Sequence, residues 1–190
     1  GSTDQSVSLI RRSPATLIQE HRRGYGNVIM TGILEAKRAG YSIAIVLDAD
    51  LSDNPSDIPK LVEPILERKQ DMVLSARSRK EDQANLEPHQ RFGNHLAVRL
   101  IKILTGYQFK DMGPFRAFRI ESILDLNMED PNFGWNIEMQ IKAVKAGWNI
   151  LEIELPYRKR LAGKSKISGN IQASIMAGRI ILFSAFKYAH

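Results

Sequence analysis

The chain has 190 residues, 43% of them hydrophobic and 25% charged, and its formal net charge is +6. This composition excludes an intrinsically disordered chain, and the absence of cysteine excludes disulfide frameworks, thiolate zinc sites and cysteine nucleophiles. No apolar run reaches the roughly 18 residues that a membrane span requires, and we expect neither a span nor a secretory leader.

The first half of the chain alternates between predicted helices and strands. The apolar, β-branched run over residues 41–47 is typical of a strand buried on both faces. In chain order we predict a helix ending near Arg12, a strand over 16–19, a helix over 28–39, a strand over 41–47, a helix over 56–68 and a strand over 71–75. This order predicts an α/β fold with a mostly parallel sheet flanked by helices.

The second half continues with longer helices. The polar segment 80–87 predicts a mobile loop, and apolar residues at helical spacing predict a long helix over 88–105. We then predict a strand over 115–118, helices over 120–126 and 136–146, a strand over 149–155 and a final helix over 169–188. Because the sequence contains no internal repeat, low-complexity stretch or linker, we predict one domain over 1–190.

The positive charge is concentrated in the last part of the chain. Between Pro156 and His190 there are seven lysines and arginines and no aspartate or glutamate. An anionic partner such as the phosphates of a ligand, acidic lipid headgroups or nucleic acid explains this asymmetry, and a merely solvated basic end is the alternative.

Two aspartates, Asp48 and Asp50, follow the buried strand directly, with the small Ala49 between them. In open α/β sheets, ligands bind beyond the carboxyl ends of the strands. Carboxylate and water oxygens suit Mg²⁺ or Mn²⁺, which proteins usually hold with one or two carboxylates and substrate phosphates. We therefore predict a metal and diphosphate site, and the alternative is a turn whose aspartates cap the next helix.

Basic side chains that suit phosphate occur in two segments. Arg77 and Arg79 follow the strand predicted over 71–75, and Lys164 and Lys166 belong to a flexible loop over 163–166. Arginine grips phosphate through two hydrogen bonds, while lysine acts as a point charge. The glycine spacing of a P-loop is absent, and solvated surface charge is the alternative for all four residues.

The roles of Arg116 and Glu138 stay open from the residues alone. Arg116 follows an acid and a turn, and it is either functional or an internal partner of Asp111 or Glu138. Glu138 lies in a helix that is otherwise rich in apolar residues, and it is either a buried functional carboxylate or part of a polar stripe. The four histidines lack metal-ligand spacing, and no G-x-S-x-G elbow supports an acyl-transfer triad.

Several segments match the motifs of one known family in their order along the chain. Residues 48–55 (DADLSDNP) are very similar to a D-A-D-L-x-x-x-P segment, and residues 111–119 resemble D-x-x-G-x-F-R-x-x-R. Weaker similarities occur at 1–4 (GSTD), 23–27 (RGYGN), 75–79 (SARSR), 91–94 (RFGN) and 163–166 (GKSK). Together these motifs resemble family 2 glycosyltransferases with a GT-A fold, and within them the dolichol- and polyprenyl-phosphate sugar synthases.

The resemblance implies an inverting transfer of a sugar from a nucleotide-diphosphate donor to a polyprenyl-phosphate-type acceptor, with Mg²⁺ or Mn²⁺ as cofactor. The implied metal residues are Asp50 and Asp48, and the implied donor-binding residues are Asp48, Asp50, Gly24, Lys164 and Lys166. The implied acceptor-phosphate residues are Arg77, Arg91, Asn94 and Arg116. The residues implied in catalysis are Asp48, Asp50, Arg77, Arg116 and Glu138. A phosphate acceptor is already anionic near neutral pH and needs no strong general base, which fits the lack of an obvious one.

The chain departs from the family pattern at its start. Family members begin with a strand, a loop containing P-x-x-N-E, a helix and a second strand ending in Asp-Asp, whereas this chain starts at Gly1, after all of these. We therefore expect a partial domain that lacks the first two strands of its sheet and binds nucleotide sugar poorly by itself.

The last helix, within residues 169–190, carries apolar side chains together with Arg179 and Lys187. It is too short and interrupted to span a bilayer, so we predict that it lies at a membrane interface; packing on the domain is the alternative. This prediction puts the protein at the cytoplasmic face of a membrane. We expect no nucleic-acid partner, because no aromatic residues interleave the basic tail in the pattern of a base-stacking platform.

Other functions stay open at this point. A transferase acting on a soluble or polysaccharide acceptor needs a carboxylate base, for which Glu138 and Asp111 are the first candidates. The non-enzyme alternatives are a basic module that binds anions or nucleic acid and a nucleotidyltransferase-like fold without activity.

Overall fold

The computed structural model describes residues 5–67, 69–77, 79–161 and 171–189, and it describes the side chains of the last helix over residues 178–188. The predicted phosphate-binding residues Lys164 and Lys166 lie outside the described residues. The elements are α1 (Ser6–Arg11), α2 (Tyr25–Arg38), β1 (Ile43–Val46), a 3-10 turn (Pro55–Asp57), α3 (Ile58–Leu66), β2 (Met72–Ala76), α4 (Lys80–Ala84), α5 (Pro88–Thr105), β3 (Arg116–Arg119), α6 (Ile120–Asp125), α7 (Trp135–Lys145), β4 (Ile150–Glu154) and α8 (Ile171–Ala189).

The sheet has the strand order β1-β3-β2-β4. β2 and β4 pair in parallel, whereas β3 lies between β1 and β2 and is antiparallel to both. The α/β prediction is therefore confirmed, but the prediction of a mostly parallel sheet needs correction. Three strands do run in one direction, yet two of the three pairings are antiparallel because the reversed strand occupies the centre.

The reversal of β3 has a local cause. The segment before β3 is fixed at the carboxyl end of β2, where Ser75 N donates to Phe115 O over 2.9 Å. From that edge the chain can only run back along β2, so β3 is antiparallel. Consequently residues 111–115 lie at the same edge of the sheet as the residues that follow β1 and β2. A parallel β3 would have left them at the opposite edge.

Helices cover both faces of this sheet. On one face, α2, α5, α7 and α8 enclose the larger core, which includes Ile101, Phe118 and Trp135. On the other face, Leu61 and Ile65 of α3 pack with Val73 and other side chains in a smaller core. Every residue of β2 is buried, because successive side chains of a strand point to alternate faces and both faces are covered here.

The element predictions differ from the structure at two places. The strand predicted over 16–19 is wrong, since these residues have no regular structure and no described strand pairs with them. The segment over 80–87, predicted as a loop, contains α4. Arg79, which precedes α4, pairs with Asp82 in the first turn of this helix. By contrast, α5 has the predicted bounds, with a capping box at Glu87 and Gly106 in the left-handed conformation after its end.

Candidate active site

The turn after β1 fixes Asp50 firmly. Its Oδ1 atom accepts hydrogen bonds from Ser52 N (3.0 Å) and Ser52 Oγ (2.6 Å), and Leu51 between them adopts a positive φ of 60°. Such a backbone conformation is uncommon for a leucine and indicates that the surrounding contacts impose the turn. The turn orients the Asp50 carboxylate, while Asp48 on the same turn is exposed.

The segment after β4 crosses this turn. Arg158 N donates to Ser52 O (2.9 Å), and Leu161 N donates to Asp50 O (3.0 Å). Between these two contacts, Arg160 Nη2 lies 3.3 Å from Asp50 Oδ2. The segment over 158–161 therefore brings the basic side chain of Arg160 onto the predicted diphosphate site.

Asp53 is a further carboxylate at this edge that the sequence motifs did not single out. It is only 2% exposed, and its Oδ2 atom has no hydrogen-bond partner among the described residues. Burial raises the pKa of Asp53 to about 6; Arg77 counteracts this, and the charges of Asp48 and Asp50 add to it. A polar residue three positions after the predicted metal ligand Asp50 is too common a pattern to reveal this burial.

The donor set suits a hard divalent cation. Partial loss of hydration raises the pKa of Asp48, and the nearby charge of Asp50 raises it further, whereas Arg160 acts in the opposite direction. Such mutual repulsion between carboxylates is relieved by a bound cation. Among the described residues no three histidine or acidic side chains form a complete cation cage. The arrangement fits Mg²⁺ or Mn²⁺ held by one or two carboxylates and by substrate phosphates.

Arg77 lies at the carboxyl end of β2, as predicted, and it is tied to Asp111. Nε and Nη2 of Arg77 donate to Asp111 Oδ2 and Oδ1 over 2.6 and 3.0 Å, and the backbone N of Arg77 donates to Asp111 Oδ2 over 3.0 Å. The ring of Tyr157 lies 5.0 Å from the Arg77 guanidinium. This pair fixes Arg77 beside the aspartates, and it leaves Asp111 with no free oxygen to serve as a base.

Gly113 makes the close packing of this edge possible. A Cβ atom at Gly113 would lie 2.9 Å from Ser75 O and 3.0 Å from Asp111 Oδ2. A larger side chain would therefore separate the 111–114 segment from β2, and with it the Arg77–Asp111 pair.

Arg116 is completely buried. Its Nε donates to Pro114 O over 3.2 Å, its Nη2 donates to Gly113 O, and its Nη1 contacts Met139 Sδ. Neither Asp111 nor Glu138 is its ion-pair partner, so both internal partners weighed from the sequence are wrong. Burial lowers the pKa of Arg116. As placed, its guanidinium supports the loop before β3 and has no solvent-facing surface for an acceptor.

The two predicted acceptor residues on α5 differ in their surroundings. Asn94 Oδ1 accepts a hydrogen bond from Met112 N over 2.8 Å, so this side chain anchors the 111–114 segment to α5. Arg91 is exposed, and the structure describes no ion pair for it. The fold therefore brings Asn94, Asp111 and Arg77 together and leaves Arg91 outside this group.

Glu138 and Gly24 belong to a second, structural group. Glu138 is fully buried; its two oxygens accept hydrogen bonds from Glu129 N and Asp130 N, each over 2.7 Å, and Lys142 Nζ lies 2.7 Å away. The loop that it fixes packs on the glycine-bearing turn before α2. A Cβ atom at Gly24 would lie 2.1 Å from Pro131 O, which explains the glycine there without a donor ligand.

A cavity of about 330 Å³ opens next to Arg77, between α5, α7 and α8. Its walls are mainly apolar, and the polar groups on them include Asn94 and His89, whose buried Nε2 atom has no hydrogen-bond partner among the described residues. Apolar walls with a few converging polar groups are typical of ligand sites. A cation at one wall suits a ligand that has an anionic head and an apolar chain.

Comparisons with known proteins find glycosyltransferases among the relatives of this chain. The chain is 33% identical over 176 residues to an uncharacterized glycosyltransferase of Mycobacterium tuberculosis, covering 93% of this chain and 78% of the relative. It is 27% identical over 173 residues to the undecaprenyl-phosphate mannosyltransferase of Micrococcus luteus, covering 88% of this chain and 68% of the relative.

The fold also matches a solved structure. Glucosyl-3-phosphoglycerate synthase of Mycobacterium tuberculosis, in complex with UDP, superposes with a TM-score of 0.68 at 19% identity. The match covers all of this chain and 66% of that one, so the chain spans just under two thirds of the solved protein. This similarity confirms the predicted GT-A fold. The model of the family described as glycosyl transferase family 2 matches residues 1–126, two thirds of the chain, and the chain therefore belongs to glycosyl transferase family 2.

Proposed function

We propose that the protein containing these residues is a metal-dependent, inverting glycosyltransferase that moves a sugar from a nucleoside-diphosphate sugar to a polyprenyl-phosphate-type acceptor. The observation that carries this proposal is the meeting of Asp48, Asp50 and Arg77 at one edge of the sheet, with the basic segment 158–161 across it. Acidic groups for a cation and basic groups for phosphates lie within one site, as transfer from a diphosphate requires.

The donor half of the site would be built on Asp50 and Asp48, which would hold Mg²⁺ or Mn²⁺. The cation would neutralise charge that develops on the departing nucleoside diphosphate. Arg160, once released from Asp50, would pair with the same phosphates. A UDP complex of the structurally similar synthase supports a nucleoside diphosphate as the donor's leaving group.

The acceptor half would be built around Arg77 and the cavity beside it. Arg77 supplies a fixed positive charge at one wall, and the apolar walls formed by α5, α7 and α8 suit an isoprenoid chain. The named substrate of the Micrococcus luteus relative, undecaprenyl phosphate, belongs to this chemical class.

The chemistry would be one displacement at the anomeric carbon. An oxygen of the acceptor phosphate attacks this carbon from the face opposite to the diphosphate, the new carbon–oxygen bond forms as the bond to the diphosphate breaks, and the configuration inverts. The attacking oxygen is anionic near neutral pH, so the protein need not remove a proton. This fits Asp111 and Glu138, whose carboxylates are engaged by Arg77 and by two backbone amides. Their engagement disfavours the alternative of an alcohol acceptor with a carboxylate base.

A transfer assay on the full-length protein tests the proposal. A panel of nucleotide sugars is supplied with a short polyprenyl phosphate or a polysaccharide acceptor, with Mn²⁺, Mg²⁺ or EDTA. We expect turnover only with the phosphate acceptor and a metal, and a loss of at least 100-fold in Asp50→Asn. Asp125→Asn, an exposed carboxamide control on α6, should retain activity. Full turnover by Asp50→Asn would overturn the metal assignment, and turnover only with the polysaccharide would overturn the acceptor class.

A further inference from the structure

The outer surface of α5 combines large apolar and basic side chains. Phe92 and Ile103 are 71% and 70% exposed, and His95 and Arg99 lie between them at exposed positions. The spacing of these residues, three to four apart along the helix, puts them on one side of α5. A large apolar side chain that stays exposed to water does not stabilise the fold. Two such side chains on the same side of α5 therefore indicate that this side contacts a partner.

The outer surface of α8 has the same character. Phe183 and Phe186 are 70% and 55% exposed, and Leu182 is 41% exposed. Together with Arg179 these residues occupy positions i, i+3, i+4 and i+7, which is a single side of a helix. The opposite side of α8 packs on the domain through buried Ser184, Ala185 and Tyr188.

The two surfaces are continuous. Gly93 of α5 faces Ile181 of α8, whose Cδ1 atom would lie 3.7 Å from a Cβ atom at Gly93. Phe92, Phe133 and Ile180 line the cavity beside Arg77, and Ile180 also lines the neighbouring groove with Phe183 and Phe186. The apolar side chains therefore follow one another from α5 across to α8, around the mouth of the cavity.

The charge on these helices has one sign. Neither α5 nor α8 contains an aspartate or glutamate. Arg91, Arg99, Lys102 and Arg179 have no described acidic partner, whereas Lys187 pairs with Glu129 over 3.0 Å. Arg99 and Lys102 also line a groove of about 620 Å³ together with His95, Ile103 and Lys110. Basic and aromatic side chains mixed on one surface are complementary to the headgroup region of an anionic bilayer.

We propose that α5 and α8 together form a docking surface for an anionic lipid bilayer. Sequence patterning alone pointed to α8; the packing of the two helices adds α5 and its basic groove. Among the described helices none is long and apolar enough to cross a membrane, so this surface lies on the bilayer and its aromatic side chains enter the headgroup layer. The orientation turns the mouth of the cavity toward the lipid, where an isoprenoid phosphate is found. The docking does not depend on the transferase chemistry and is testable without it.

Vesicle sedimentation of the full-length protein tests the proposal. Vesicles of phosphatidylcholine alone and with 30% phosphatidylglycerol (about a third anionic) are compared at low and high salt. We expect binding to the anionic vesicles that weakens with salt. The pair Arg99→Glu and Lys102→Glu on α5, and separately the pair Phe183→Ser and Phe186→Ser on α8, should each weaken binding on the order of tenfold or more. One control is the pair Arg11→Glu and Arg12→Glu at the end of α1. The other is Leu66→Ser on α3, which packs on the other face of the sheet. Both should bind as the wild type.

The outcomes separate the possibilities clearly. Unchanged binding by the α5 variant would overturn the two-helix surface even if the α8 variant fails to bind. Dimerisation that the Phe183→Ser and Phe186→Ser pair abolishes, without vesicle binding by the wild type, would assign the surface to a second copy and overturn the proposal. The transfer reaction with a short, water-soluble acceptor should be unaffected by both surface variants, so failure of the docking proposal and failure of the transferase proposal give different results.

Discussion

Arg160 Nη2 lies 3.3 Å from Asp50 Oδ2, so an arginine from the segment after β4 neutralises the carboxylate that we assign to the metal. The backbone contacts of Arg158 and Leu161 with the same turn hold this arginine in place. The positive charge of Arg160 thus lies next to Asp50, where the charge of a bound metal cation would lie. Metal binding and the pairing of Arg160 with Asp50 therefore compete.

Replacing Arg160 by glutamine should tighten the binding of Mn²⁺ in the absence of nucleotide. A partly exposed ion pair contributes up to about 1 kcal/mol, so its removal should increase the metal affinity about fivefold. Calorimetric titration with Mn²⁺ measures this. Arg158→Gln, two residues away, has no described contact with a carboxylate and should leave the affinity unchanged. Weaker Mn²⁺ binding by Arg160→Gln would mean that Arg160 supports the metal site.

Glu138 should contribute to the stability of the fold rather than directly to turnover. Glu138→Ala removes the acceptors of two backbone amides and the nearest ion-pair partner of Lys142 from a fully buried position, and we expect the free energy of unfolding to fall by about 3 kcal/mol. Urea denaturation measures the change. Glu121→Gln, which removes an exposed carboxylate paired with Lys37, should cost less than about 1 kcal/mol. A Glu138→Gln protein with normal stability and no turnover would instead identify a catalytic base.

Gly26 should tolerate no side chain, in contrast to Gly32 on the same helix. A Cβ atom at Gly26 would lie 2.0 Å from Asp130 O, whereas one at Gly32 would meet no atom within 4 Å beyond its chain neighbours and the adjacent backbone of its own helix. Gly26→Ala should therefore destabilise the protein by about 2 kcal/mol or more, and Gly32→Ala should stabilise it by about 0.5 to 1 kcal/mol. Thermal unfolding of the two variants compares them directly. Equal effects would show that the loop at 129–132 does not pack on α2 as described.

The burial of Asp53 should make the folded protein less stable as the pH rises. Its native pKa of about 6 lies above the ordinary value of 3.8, so the native state binds the proton more tightly than the unfolded state does. Stability should therefore fall as the pH rises from about 4 to 6, and the cost above pH 6 is on the order of 2 to 3 kcal/mol.

The replacement Asp53→Asn tests this linkage in the presence of EDTA. At pH 7.5 the variant should melt at a higher temperature than the wild type, because the cost of burying the charge is removed. At about pH 3, where Asp53 is mostly protonated in both states, the two proteins should differ little. Asp125→Asn, at an exposed position, should show no such pH dependence. A lower melting temperature of Asp53→Asn at pH 7.5 would indicate a favourable charge contact.

Local sequence signals predicted the elements with clear boundaries. α5 begins and ends where its capping residues and Gly106 predict, and β1 follows from the run of β-branched residues before Asp48. The segment over 16–19 has a similar local pattern but forms no strand, because a strand of this length is stable only beside a partner. α4 was missed because its stability depends on Tyr157, whose backbone N donates to Asp82 Oδ1 and whose backbone O accepts from Asn85 Nδ2 only in the folded chain.

The sequence by itself determined the family, the position of Asp48 and Asp50 after a buried strand, and the location of Arg77 at the end of the next one. These depend on short segments whose chemistry and spacing are local. Only the tertiary structure decided how the remaining charged residues are used. Packing in the folded chain buries Glu138, Arg116 and Asp53 and pairs Arg77 with Asp111. The cost of removing each charge from water depends on the atoms that surround it there, and a local sequence pattern does not contain them.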